Sequence, residues 1–175
     1  MAYMGLNRLD EAKAILKQAL ERKLNPLGNP LQLAAIAWVQ NDAAEMEKHL
    51  EAAKQLPGGD MTVSGTRSAI AACRGQMKAA RDFGQRSREA AERLRLQEVA
   101  GSEYSQEAII EAIVLNKSRA VEDAVESVKM SQAPITVLIS ALALAVAGDD
   151  KKAEDLASIL AQKRPYDTIV RFTCW

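Results

Sequence analysis

The stretch NRLDEAKAILKQALERKLNP, residues 7–26, decides the fold. Its apolar positions Ala12, Ile15, Leu16, Ala19 and Leu20 recur at i, i+3, i+4, i+7 and i+8, which lines one face of an α-helix. Asn25 and Pro26 close the segment, since a proline inside a helix would cost about 3 kcal/mol.

Working outward, a Gly or Asn two residues before a helix recurs at Asn7, Asn41, Gly75, Asn116 and Gly148. The intervals are 34, 34, 41 and 32 residues, which read as a fixed period with one insertion and one small deletion. A helix-ending residue often turns left-handed, and Gly and Asn tolerate that conformation best. The flanking columns agree. Five residues after the turn stand Ala12, Met46, Ala80, Val121 and Ala153; twelve after it, Ala19, Ala53, Ser87, Val128 and Leu160; seven before it, Ala34, Ser68, Ile109 and Ala141. Small or apolar residues there suit helices that approach closely and stack. Pro26, Pro57, Pro134 and Pro165 fall near seventeen residues past a turn, between units, and Pro30 sits just ahead of a helix beginning near Leu31.

On these residues the chain resembles the tetratricopeptide repeat (TPR) superfamily, whose period is 34 residues. Leu9-Asp10-Glu11-Ala12 through Ala19-Leu20 to Asn25-Pro26, and Gly148 through Ala153 to Pro165, look like the family's second helix and closing turn. Met46 replaces a small residue, and the third unit lacks a closing proline near Glu92. The resemblance implies an all-α fold, a right-handed α-solenoid of antiparallel helix pairs with about four to five units. A single array over 1–175 is expected, with units near 1–26, 29–57, 61–97, 102–131 and 134–165 and a further helix at 167–175. Helices are predicted at 9–22, 30–40, 43–55, 62–73, 76–96, 103–115, 118–130, 135–147 and 149–163, with a loop around 100–104. More loosely, the chain resembles repeat regions that follow kinase or regulator domains in large bacterial signalling proteins. Both ends carry apolar residues where an array would be capped by polar ones, so the chain reads as cut from a longer protein or paired with a second copy.

Composition narrows the function. Lys plus Arg and Asp plus Glu both number 23, and this zero net charge argues against a nucleic-acid binder. Cys73 and Cys174 lie far apart without a CxxC partner, which argues against a disulfide framework or a zinc site. The start lacks the regions of a signal peptide, and the longest apolar run, 135–147, is too short to span a bilayer; a cytoplasmic location is expected, the alternative being a membrane-anchored parent protein.

No motif supplies a catalytic constellation. His49, the only histidine, has no nucleophile and orienting partner in sequence, and reads as a surface residue. Gly58, Gly59 and Gly65 lack the Gly-Lys-Ser/Thr of a phosphate loop and read as turns. Cys73, beside Arg74, reads as a small buried filler. Arginines cluster from Arg67 to Arg95, including Arg81 and Arg88, and acids follow at Glu98, Glu103, Glu107, Glu111, Glu122, Asp123 and Glu126. Pairing between these neighbouring units, or plain solvation of the charges, is the simplest reading, and an acidic partner the alternative.

In the family, the first helices of successive units line a concave peptide-binding surface. The matching positions here are Leu31 and Ala35, Gly65 and Ala69, Gln106 and Ile110, Leu138 and Leu142, with Trp38 as an aromatic anchor or a core residue. The Lys and Asn by which some members clamp a terminal carboxylate are missing, so an apolar groove is expected. The reading is a protein-interaction or scaffolding module without cofactor, metal or chemistry of its own, binding a protein or peptide or self-associating through its ends. The alternative is a regulatory or sensory tail of a larger bacterial signalling enzyme such as a serine/threonine kinase.

Overall fold

The computed structural model describes residues 2–163. The helix expected from 167, Pro165 and Cys174 lie outside the described residues. Those residues form ten helices and no strand: α1 (Ala2–Gly5), α2 (Leu9–Glu21), α3 (Gly28–Val39), α4 (Ala43–Lys54), α5 (Gly59–Cys73), α6 (Met77–Arg93), α7 (Gln97–Ile113), α8 (Lys117–Met130), α9 (Pro134–Ala147) and α10 (Asp150–Lys163). The fold is all-α. The chain separates into two compact units, one ending at Arg67 and one beginning at Ser68.

One turn chemistry recurs. At Asn41, Gly75 and Gly148 the backbone turns left-handed, with φ of 57°, 71° and 86°. Each of these residues donates its N–H back to the carbonyl three residues earlier, and the next residue donates to the carbonyl five earlier. Asp42 N to Ala37 O, Gln76 N to Ala71 O and Asp149 N to Leu144 O are all 2.9 Å. This paired bond set satisfies two carbonyls that a helix end would otherwise leave open. Asn7, Lys23, Arg95 and Leu115 form the same turn, with φ between 55° and 64°. Asp42 then caps α4 by accepting from Glu45 N at 3.0 Å, and Asp149 caps α10 by accepting from Lys152 N at 3.3 Å.

The structure corrects the fourth turn. Its left-handed residue is Leu115, whereas Asn116 has φ −86° and occupies the N-cap of α8. The intervals between left-handed residues therefore become 34, 34, 40 and 33. With that shift, the column five after the turn reads Ala12, Met46, Ala80, Ala120 and Ala153, and all five are buried. The column seven before it reads Ala34, Ser68, Ala108 and Ala141, again all buried. Asparagine was the wrong marker because it also serves well as an N-cap, and the exposed Leu115 carries no compositional sign of its strained backbone.

A second correction falls between α6 and α7. The loop expected at 100–104 lies inside α7, and the chain instead reverses at 94–96 around Arg95. The insertion is taken up by two helices of 17 residues each. Gly101 explains why: a Cβ there would lie 2.6 Å from Ser131 Cβ and 3.0 Å from Ser127 O, so its glycine permits close approach of α8 and does not mark a loop. Pro30 sits in the first turn of α3, and Pro134 opens α9.

In the first unit the core gathers Ala12 and Leu16 of α2 with Leu33 and Ile36 of α3, and Met4, Leu9 and Leu20 pack against it. The second unit is lined with alanine: Ala108, Ala124, Ala143, Leu144 and Ala153 form one cluster, and Ala112, Ala120 and Ala147 another. Small side chains let the helix axes close up, and they add little side-chain entropy cost. Buried Ser127 and Ser140 bond to each other at 2.9 Å, which satisfies hydroxyls that the tight packing excludes from water.

Leu115 supplies a direct test. It holds φ 64° and is 75% exposed, so its side chain adds little burial while its Cβ opposes the backbone. Leu115→Gly is expected to stabilise the chain by about 0.5–1 kcal/mol, net of the extra unfolded-state freedom of glycine. The shift would be read from the thermal midpoint followed by circular dichroism.

Candidate functional site

Two features of the second unit stand out. The first is a charged cluster between α6, α7 and α8. On α7, Glu103, Glu107 and Glu111 are spaced four residues apart and share one helix face. On α6, Arg81 and Arg88 flank Gly84; on α8 stand Arg119 and Asp123. Arg81 grips Glu111 with both prongs, from Nε at 2.6 Å and Nη2 at 2.9 Å, and Asn116 Nδ2 adds a bond of 2.9 Å. Arg88 pairs with Glu107 and stacks 4.6 Å above the Tyr104 ring. Arg119 stands 3.6 Å from Asp123, 3.7 Å from Glu111 and 3.9 Å from Glu107. Two members of the basic run, Arg81 and Arg88, thus pair with the acidic run, whereas Arg67 pairs with Glu47 and Glu51.

Gly84 makes this packing possible. A Cβ at that position would come within 1.9 Å of Glu107 Oε1. The electrostatics divide the carboxylates into two kinds. Hydrogen bonds from Arg81 and Asn116 hold Glu111 below the usual carboxylate range, against the pull of burial. Burial raises Glu103 in spite of a bond from Ser87. Burial, reinforced by the Glu107 charge, pushes Asp123 up to about 6. Glu107 is buried against the Arg88 guanidinium, whereas Asp123 Oδ2 is buried without a hydrogen-bonded partner. Arg81, Gly84 and Arg119 were not singled out from sequence as one site, although the four-residue spacing of the three glutamates was a usable signal.

The second feature is apolar. Helix α9 carries no charged residue over its 14 positions, yet Ile135, Leu142 and Val146 are about half exposed. With Leu138 and Ala145 they follow a spacing of three and four residues, one face of the helix. Between this face and α10 lies a hollow of about 220 Å³, lined by Leu138, Ala141, Leu142, Ala153, Ala157 and Leu160 among others. Ile159 of α10 adds a further exposed aliphatic side chain.

Of the groove residues expected from sequence, the structure brings Leu138 and Leu142 together in this hollow. Leu31, Ala35 and Trp38 are half-buried on α3. Ala69 is exposed on α5; on α7 Gln106 is exposed and Ile110 half-buried. In the corrected register Ser105 and Ile109 take the places assigned to Gln106 and Ile110, and Ser105 is fully buried. Two single-residue expectations are overturned. Cys73 is exposed and is the last residue of α5, where side chains point off the helix end into water. His49 is half-buried against Glu45 at 3.1 Å, and burial lowers its pKa.

Among the described residues no cluster of His, Cys, Asp or Glu is arranged to hold a metal ion, and no helix is long and apolar enough to cross a membrane. No family model, no curated protein and no solved structure matches the chain.

Gly84→Ala tests the cluster. An alanine inside a helix normally stabilises by about 0.5–1 kcal/mol relative to glycine. Here the added methyl drives into a paired, buried glutamate, and a net loss of about 1–3 kcal/mol is expected from urea denaturation.

Proposed function

We propose that this chain is a protein-interaction module of TPR-like helix pairs, and that the α9–α10 face is where a partner docks. The observation that carries the reading is the open side of α9. A helix that is apolar all round is normally buried on every side. This one leaves Ile135, Leu142 and Val146 in water beside an apolar hollow. Such a surface gains free energy by covering, at roughly 25 cal/mol per Å² of apolar area removed from water.

The recurring left-handed turns and the buried small-residue columns support the TPR-like frame, with a 34-residue spacing in two intervals. Leu138 and Leu142 sit at the positions that line the peptide groove in that family. The hollow is open and lined by aliphatic side chains from α9 and α10, which suits an amphipathic helix or an extended apolar segment better than a small polar molecule. The exposed thiol of Cys73 fits a reducing compartment such as the cytoplasm.

Selection from a random peptide display library on the immobilised chain tests this. Enriched peptides should carry apolar residues at helical or alternating spacing. Leu142→Glu should weaken them at least about tenfold, since it places a charge against apolar lining. The exposed control Val39→Glu should leave binding unchanged. No enrichment, or equal binding by Leu142→Glu, would overturn the assignment. Concentration-dependent self-association lost in Leu142→Glu would give the face to a second copy of the chain.

A further inference from the structure

The charged cluster is unevenly matched. Arg81 is committed to Glu111 and Arg88 to Glu107, which leaves Asp123 with Arg119 alone. Arg119 is shared among three carboxylates, none closer than 3.6 Å, and its side chain is 39% exposed, so water competes for it. Ionised carboxylates only accept hydrogen bonds, and here Glu107 has the paired Arg88 guanidinium beside it while the buried Asp123 Oδ2 has no donor within hydrogen-bond distance. A proton on Asp123 would turn one orphaned acceptor into a donor and remove a buried negative charge.

We propose that the cluster is a proton-operated clasp, in which Asp123 takes up a proton as α8 closes on α7, so that mild acidification tightens the second unit. The groups that face Asp123 are Glu107 and Glu111 from α7, Arg88 from α6 and Arg119 from its own helix. Helix α9, which packs on both α7 and α8, has no charged residue to oppose or assist.

The sign follows from the raised value. Burial and the Glu107 charge push Asp123 up to about 6 in the closed cluster, and opening α8 to water would return it toward the ordinary aspartate range. The closed form is therefore fully favoured below about pH 4, and that preference is lost as pH rises toward 6. Between pH 7 and pH 5 the closing equilibrium should gain about tenfold. Glu111, held low by Arg81, stays ionised across this range, so the clasp tightens without losing its strongest pair.

Hydrogen exchange on the full chain at pH 5 and pH 7, corrected for the intrinsic chemistry, provides the test. Opening of the α8 amides should be about tenfold rarer at pH 5, and Asp123→Asn should abolish that difference. A wild-type chain with no difference, or an Asp123→Asn chain that retains it, would overturn the proposal. Should Asp123→Asn fail to fold, carbon-13 titration of the wild-type Asp123 carboxyl decides. A midpoint near 6 supports the clasp; one in the ordinary aspartate range overturns it.

Discussion

Close approach of helices through small side chains is the constraint on which the second unit depends. Ala108, Ala112, Ala120, Ala124 and Ala143 are wholly buried, and Gly84 and Gly101 mark points where even a methyl group has no room. Helices packed this tightly offer little apolar surface per residue, so the unit cannot rely on large side chains for cohesion. It fills the remaining contacts with polar groups that bond to one another, such as the Ser127–Ser140 pair and the hydrogen bond from Ser68 Oγ to Ala80 O at 2.8 Å. Each must be satisfied, because an unpartnered buried hydroxyl costs more than a bonded one contributes.

The charged cluster belongs to the same economy of space. Gly84 brings α6 close enough for Arg81 and Arg88 to reach the glutamates of α7, and a bidentate guanidinium pairing is the strongest polar contact available at that distance. Pairing of this kind offsets the cost of taking Glu107 and Glu111 out of water and adds little net stability beyond that. The third pair, Arg119 with Asp123, is looser because one guanidinium serves three carboxylates. That unequal division makes one member of an otherwise structural network responsive to pH.

The open face of α9 has the opposite character. Its residues are apolar where the cluster is charged, and exposed where the cluster is buried. The two features sit on successive helices of one unit, with α7 packed against both α8 and α9. Ala108 of α7, Ala124 of α8 and Ala143 of α9 share one buried cluster, with Val121 packed against it.

Residue pattern alone determined most of the helices from α2 to α10, because a 3.6-residue apolar period and turn residues at fixed offsets are local properties of the chain. Of the nine helices predicted within the described residues it placed eight within about three residues of their bounds, and it set Leu138 and Leu142 four residues apart on one helix. It misplaced the start of α7 and took Asn116 for the left-handed residue, because glycine and asparagine each serve more than one backbone role. Gly101 is a close-packing residue and not a loop, and only its neighbour Ser131 reveals that. Equally, the glutamate stripe was visible as a spacing, but which arginine meets which glutamate depends on α6 and α8 being brought against α7. Tertiary packing alone decided that Glu111 has two committed donors and Asp123 none, since burial and partner geometry arise only when three helices meet.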